Sequence, residues 1–175
     1  VEGATVPLNG VIYEAKWQIN QYTITFNTDG GSEVAAITED YASAITAPEN
    51  PSKTGYTFAG WDSEIPTTMP AENKTIKATW TINQYTLKFN LNGGESEAIA
   101  EITADYNSDV TKPADPTRTG YTFAGWSPEF TGKVPADNTT YIAQWTINQY
   151  TITFDTDGGS EVAAITEDYA SAITA

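Results

Sequence analysis

The chain has no cysteine and no histidine among its 175 residues. Without cysteine there is no disulfide staple and no thiolate metal site, a pattern that secreted bacterial surface proteins and cytosolic proteins share. Without histidine the chain lacks the usual general base near neutral pH and the commonest metal ligand. Cations are scarce as well: eight Lys and Arg stand against 23 Asp and Glu, for a formal net charge of −15. Binding nucleic acid needs clustered Lys and Arg to neutralise phosphates, so no nucleic-acid partner is expected. No apolar run is long enough to cross a bilayer, so membrane insertion is not expected of this segment. Signal peptide and sorting motif are absent too, as in an internal segment of a longer protein.

What is present is repetition. Trp-x-Ile-Asn-Gln-Tyr-Thr occurs at Trp17–Thr23, Trp80–Thr86 and Trp145–Thr151, and Gly-Tyr-Thr-Phe-Ala-Gly-Trp at Gly55–Trp61 and Gly120–Trp126. The spacing is 63 residues from Trp17 to Trp80 and 65 from Trp80 to Trp145. A period of that size marks a string of small domains. The organisation read from it is the end of one repeat (1–17), two whole repeats (18–80 and 81–145) and the start of another (146–175). Gln149–Ala175 matches Gln21–Ala47 at every position except Asn27, which becomes Asp155. That identity predicts a parent array alternating two repeat types, from which this chain is a window. Acidic charge is even: 18–80 carries eight acids and three bases, 81–145 eight acids and four bases. An even acidic surface solubilises and repels its neighbours.

Most segments read as strands. Tyr22–Phe26, Tyr85–Phe89 and Tyr150–Phe154 alternate large apolar residues with Thr or Lys, the period of a half-buried strand. Each meets an Asp-Gly-Gly or Asn-Gly-Gly turn signal, at Asp29, Asn92 and Asp157. The return segment Ile37–Ile45 is strand-like in part, and its Ala and Glu content leaves a short helix open, so α+β stays open beside a mostly β fold. Pro48–Gly55 and Pro113–Gly120 are connections, because proline removes a backbone donor. Further strands are predicted at Tyr56–Trp61, Tyr121–Trp126, Thr75–Trp80, Thr140–Trp145 and Val11–Trp17, with variable loops marked by Met69-Pro70 and Val134-Pro135. At each junction the apolar parity switches, as from Ile76, Ala78, Trp80 and Ile82 to Tyr85, Leu87 and Phe89. Alternating side chains demand a bulge or twist there, near Asn-Gln. No flexible spacer separates the repeats, which predicts short, stiff connections.

About 64 residues is small for an independent core, so the large aromatics must supply it. The expected core is Trp17, Tyr22, Phe26, Tyr56, Phe58, Trp61, Trp80, Tyr85, Phe89, Tyr121, Phe123, Trp126 and Trp145.

Candidate chemistry is thin. Asp155-Thr-Asp157-Gly-Gly-Ser160-Glu161 resembles a calcium loop, but glycine falls at position 4 and Thr166 stands where a bidentate Glu is needed. Lys53 aligns with Arg118 and Lys77 with Ile142, so no lysine keeps its place for an isopeptide crosslink. Glu39, Asp40 and Glu49 have no acid/base motif around them. No catalytic residue, cofactor or metal site is expected. Stacking on sugars through Tyr41, Tyr106, Tyr56 or Tyr121 is the ligand idea these residues support best, if the rings are exposed.

The repeats resemble the Listeria–Bacteroides repeat family, relatives of the internalin B-repeat. The pattern Tyr-Thr-hydrophobic-x-Phe, Asx-Gly-Gly, Pro-x-x-Pro, Gly-Tyr-Thr-Phe-x-Gly-Trp and Ala-x-Trp is met by Tyr22–Phe26, Asp29–Gly31, Pro48–Pro51, Gly55–Trp61 and Ala78–Trp80. The second repeat meets it with Tyr85–Phe89, Asn92–Gly94, Pro113–Pro116, Gly120–Trp126 and Ala143–Trp145. The resemblance implies tandem β-grasp-like domains in bacterial surface or secreted proteins, acting as stalks that present a distal module, with no catalytic residues. The partners it implies are neighbouring repeats of the chain and, in the alternative role of adhesive module, an extracellular protein or glycan. The incomplete terminal repeats add self-association, the leading Val11–Trp17 strand of one molecule pairing with the trailing fragment of another.

Overall fold

The computed structural model describes residue 10 and residues 12–173. By internal contacts the chain forms two compact units, Val1–Pro51 with Phe58–Thr79 and Ser52–Thr57 with Trp80–Ala175. The described residues hold ten strands and no helix, so the fold is all-β and the α+β alternative does not hold. The segment left open as a short helix is instead a four-residue strand followed by a turn at Ala42, whose φ is 66°.

The first sheet contains β1 (Gln21–Asn27), β2 (Ile37–Asp40), β3 (Tyr56–Trp61) and β4 (Lys74–Ile82), in the order β2-β1-β4-β3. Strand β1 divides its length between two partners. Its first half pairs antiparallel with β2 from Gln21↔Asp40 to Ile24↔Ile37, and its second half pairs parallel with β4 from Ile24↔Lys74 to Asn27↔Lys77. Where β4 has not yet begun, Asn73 Oδ1 accepts the Thr23 N–H at 2.8 Å and so extends the ladder by a side chain. The Asp29-Gly30 turn forms, with both φ values positive (51° and 86°) and Gly31 N–H donating to Thr28 O at 3.0 Å. It is the tip of a wide loop and not a tight hairpin, because the β1–β2 ladder closes only at Ile24↔Ile37.

The second unit repeats this design with β5 (Gln84–Asn90), β6 (Ile102–Asp105), β7 (Tyr121–Ser127) and β8 (Thr139–Ile147), in the order β6-β5-β8-β7. Asn138 Oδ1 takes the Thr86 N–H at 2.8 Å, the counterpart of Asn73. A two-stranded hairpin follows, β9 (Gln149–Ile152) with β10 (Ile165–Asp168). Strand β9 stops short of the expected Phe154. In β5 the corresponding stretch is held by the parallel strand β8, whereas among the described residues β9 pairs only with β10. The leading strand expected at Val11–Trp17 also differs: Val11 lies outside the described residues, and Ile12–Trp17 form no strand.

The fully buried side chains are mainly aliphatic. Ile24, Met69 and Ile76 fill the first core with Phe26; Leu87, Val134, Tyr141 and Ala143 fill the second with Trp126. Met69 and Val134, which sequence places in variable loops, are core plugs. Met69 N–H donates to Ser43 O at 2.9 Å while Ala42 N–H donates to Met69 O at 2.9 Å, and Val134 exchanges equivalent bonds with Asn107 and Ser108. Of the expected aromatic core, Phe26 and Trp126 are buried, and the strand tyrosines, Phe58, Trp61, Trp80, Phe89, Phe123 and Trp145 are half-buried. Trp17 is a correction, being 93% exposed. Its equivalent Trp145 is covered by Phe123 of the preceding Gly-Tyr-Thr-Phe block, and among the described residues no ring contact covers Trp17.

Tyr141 occupies the place that Ile76 fills in the first sheet, stacked on Phe89 with ring centroids 5.4 Å apart. Burial raises its phenol pKa above 10.0, because the charged form would lose water. The folded state therefore keeps this proton more tightly than the unfolded chain does. The stability that results is complete below pH 10 and is lost as the pH climbs from there through the raised value. Urea unfolding across pH 8 to 11 should accordingly show an alkaline loss in the second repeat that Tyr141→Phe diminishes.

Candidate functional site

The repeated string Ile-Asn-Gln-Tyr falls where one sheet hands over to the next element. Strand β4 ends at Ile82 and β5 begins at Gln84, so the parity switch is absorbed by the single residue Asn83. Asn83 is tied on three sides within the second unit. Its N–H donates to Gly55 O at 2.9 Å, its carbonyl accepts the Tyr106 N–H at 2.8 Å, and its Oδ1 accepts the Thr57 hydroxyl at 2.6 Å. Asn148 repeats this between β8 and β9, with Gly120 at 2.9 Å, Tyr169 at 2.8 Å and Thr122 at 2.6 Å.

A tyrosine closes each lock. Tyr106 follows β6 and meets Tyr56 edge-on at 6.0 Å and Tyr85 at 6.5 Å. Tyr169 meets Tyr121 at 6.3 Å and Tyr150 at 6.1 Å. Gly55 and Gly120 lie flat beneath these rings with φ of 78° and 76°, and a Cβ on either would overlap the tyrosine. Both glycines are therefore required by backbone and by space. A cation completes the arrangement. Arg118 lies 3.9 Å over Tyr121 and 6.0 Å from the Trp145 ring; Lys53 lies 4.6 Å over Tyr56 and 5.6 Å from Trp80. The Lys53/Arg118 alignment, which excluded a conserved crosslinking lysine, keeps a positive charge between two rings.

The second glycine of the block has a different task. Gly125 (φ 121°) sits at a bulge between Phe123 and Gly125 in the β7–β8 ladder. The extra residue turns Phe123 and Trp126 to the same face, where their rings lie 5.3 Å apart, as do those of Phe58 and Trp61. The apolar alternation of the sequence shows a parity change only at the Asn-Gln junction. Glycine inside a Phe-x-x-Trp strand was the signal for this second one.

Replacing Asn83 with Ala removes the bond from the Thr57 hydroxyl at 2.6 Å and the longer one from Asn83 Nδ2 to the Tyr85 hydroxyl at 3.4 Å, and leaves the backbone bonds in place. It should lower the protection of the Tyr106 amide by about 1 kcal/mol, read by hydrogen exchange.

Other sequence candidates stay apart. Asp157 N–H donates to Asp155 Oδ1 at 3.0 Å and Gly159 N–H to Thr156 O at 2.8 Å, which is turn geometry. No cluster of three metal-ligating residues occurs among the described residues. Glu39 and Asp40 are successive residues of β2, and Glu49 lies in the connection beyond it. Tyr56, Tyr106 and Tyr121 are engaged in the locks, whereas Tyr41 is 50% exposed. Beside β9 and β10 lies a hollow of about 200 Å³, lined by Tyr150, Ile152, Ile165, Tyr169 and Ile173 among others. No helix of the described residues is long and apolar enough to cross a membrane.

Sheets of one design, each passing directly into the next strand through an Asn–Gly–Tyr lock, define a tandem β-repeat protein. The chain belongs to the Listeria-Bacteroides repeat family, whose model matches residues 22–81 and 85–147. It is 37% identical to a protein of Evansella cellulosilytica provisionally named as a membrane protein, over 91% of this chain and 26% of that one. Internalin H of Listeria monocytogenes serovar 1/2a is 35% identical over 84% of this chain and 29% of its own length. The chain thus spans less than a third of these curated relatives. A solved structure of Streptococcal High Identity Repeats in Tandem domains 3-4, from a cell surface protein, shares 18% identity over 73% of this chain and 98% of that one, with a TM-score of 0.25.

Proposed function

We propose that this chain is a non-enzymatic spacer segment of a bacterial cell-surface or secreted protein, in which successive repeats hold a distal module away from the surface. The observation that carries this reading is the junction. A single asparagine separates the last strand of one repeat from the first strand of the next, and hydrogen bonds to Gly55, Thr57 and Tyr106, all within the second unit, hold that residue in place. A connection so short and so bonded resists bending, whereas a flexible linker would not. Family membership and the likeness to internalin H support a surface location. The net charge of −15 would keep neighbouring molecules apart.

Small-angle scattering tests the reading. The maximum dimension should grow by about 25–30 Å for each added repeat, the size expected of a compact domain of this length. A compact globule would overturn it. The adhesive alternative is weakened because three of its four candidate tyrosines are committed to the locks.

A further inference from the structure

Asn20–Tyr41 and Asn148–Tyr169 have the same sequence apart from Asn27, which is Asp155 in the later copy. The later copy is seen docked. Gly120 O receives the Asn148 N–H at 2.9 Å, Thr122 gives its hydroxyl to Asn148 Oδ1 at 2.6 Å, and Tyr169 covers Gly120. The earlier copy is folded in the same way: Tyr41 N–H donates to Asn20 O at 2.8 Å, as Tyr169 does to Asn148, and Gln21↔Asp40 matches Gln149↔Asp168 in register. Tyr41, in contrast, has no glycine beneath it among the described residues and is half exposed.

We propose that Asn20, Tyr22 and Tyr41 form a receptor face for the Gly-Tyr-Thr block of a repeat like residues 81–145, carried ahead of residue 18 in the same polypeptide. This deepens the spacer reading and rests on it. The partner chemistry is set by the docked copy: a glycine carbonyl for the Asn20 N–H, a threonine hydroxyl for its Oδ1, a second tyrosine edge and a guanidinium over that ring. A second molecule of this chain is a poor source, since its Gly55 and Gly120 are already covered by Tyr106 and Tyr169.

The test compares this chain with one in which a copy of residues 81–145 is joined ahead of residue 18. Exchange of the Asn20 amide should slow at least a hundredfold in the longer chain, towards the rates of Asn83 and Asn148. Tyr41→Phe should retain that protection and Tyr41→Ala should lose it. An Asn20 amide that exchanges equally fast in both chains overturns the proposal, as does protection that appears only with a doubled mass. Neither result bears on scattering length, so failure here is distinct from failure of the spacer reading.

A different observation, the strand topology, carries a second inference. The first and last strands of each full repeat are parallel neighbours: β1 with β4 and β5 with β8. Pulling on the start of β1 and the end of β4 draws two side-by-side strands in opposite directions, so their hydrogen bonds must fail together and not one after another. We infer that each full repeat acts as a shear clamp under tension. Because the chain has no cysteine, attachment points can be introduced one pair at a time. Single-molecule pulling through the chain ends should give rupture forces at least twofold higher than pulling through Gln21→Cys and Asp40→Cys, which peels β2 from β1. Equal or lower end-to-end forces would overturn this.

Discussion

Replacing Trp126 with alanine should cost the second repeat about 3–5 kcal/mol, the range for deleting a buried aromatic. Trp126 is 7% exposed and wedged between Phe89 and Phe123, with ring centroids 5.3 Å from each. A repeat of this size sits towards the low end of domain stability, about 5–15 kcal/mol, so one ring carries much of the total. Trp126→Phe should cost less than half as much. The indole N–H is buried without a partner among the described residues, and losing an unpaired buried donor recovers about 1–3 kcal/mol of desolvation. Trp61, its half-buried equivalent, should lose less on the same truncation. Urea unfolding of the three variants decides: a Trp126→Ala cost no greater than that of Trp61→Ala contradicts the argument.

That contrast also shows how far sequence reading reaches. Strands such as Tyr22–Phe26 and Tyr56–Trp61 were legible because alternation reports which face is half-buried. Met69 and Val134 were not. They lie in irregular chain, and each is held by bonds to a turn some 26 residues away, Met69 to the turn after β2 and Val134 to the turn after β6, which no local period encodes. Trp17 failed for the converse reason. Its residue type matches Trp80 and Trp145, but burial is set by a tertiary neighbour, as Phe123 is for Trp145, and residue type does not encode that neighbour.

The locks were legible as strings and not as a site. Repetition drew attention to Gly-Tyr-Thr-Phe and to Ile-Asn-Gln-Tyr, yet Gly55 meets Tyr106 across 51 residues and the next repeat's hairpin. A glycine that serves a ring so distant looks locally like any strand opening. The family resemblance names these residues without explaining why those types stand there. The explanation is steric and appears only when the repeats are folded together.

Gly120 is where a side chain meets both a left-handed backbone and a ring. Gly120→Ala should destabilise the second junction by two separable terms. One is the cost of a side chain at φ 76°, about 1–2 kcal/mol for a left-handed backbone. The other is displacement of Tyr169, whose ring occupies the space of the new methyl. Tyr169→Ala alone should also weaken the junction, by removing the contact with Tyr121. Combined, the two changes should cost less than their sum, because the methyl then meets no ring and only the backbone term persists. Hydrogen exchange at the Asn148 amide reads the result, since that donor bonds to Gly120 O at 2.9 Å. Strict additivity would mean that the glycine is needed for its backbone alone and that the tyrosine does not close the lock.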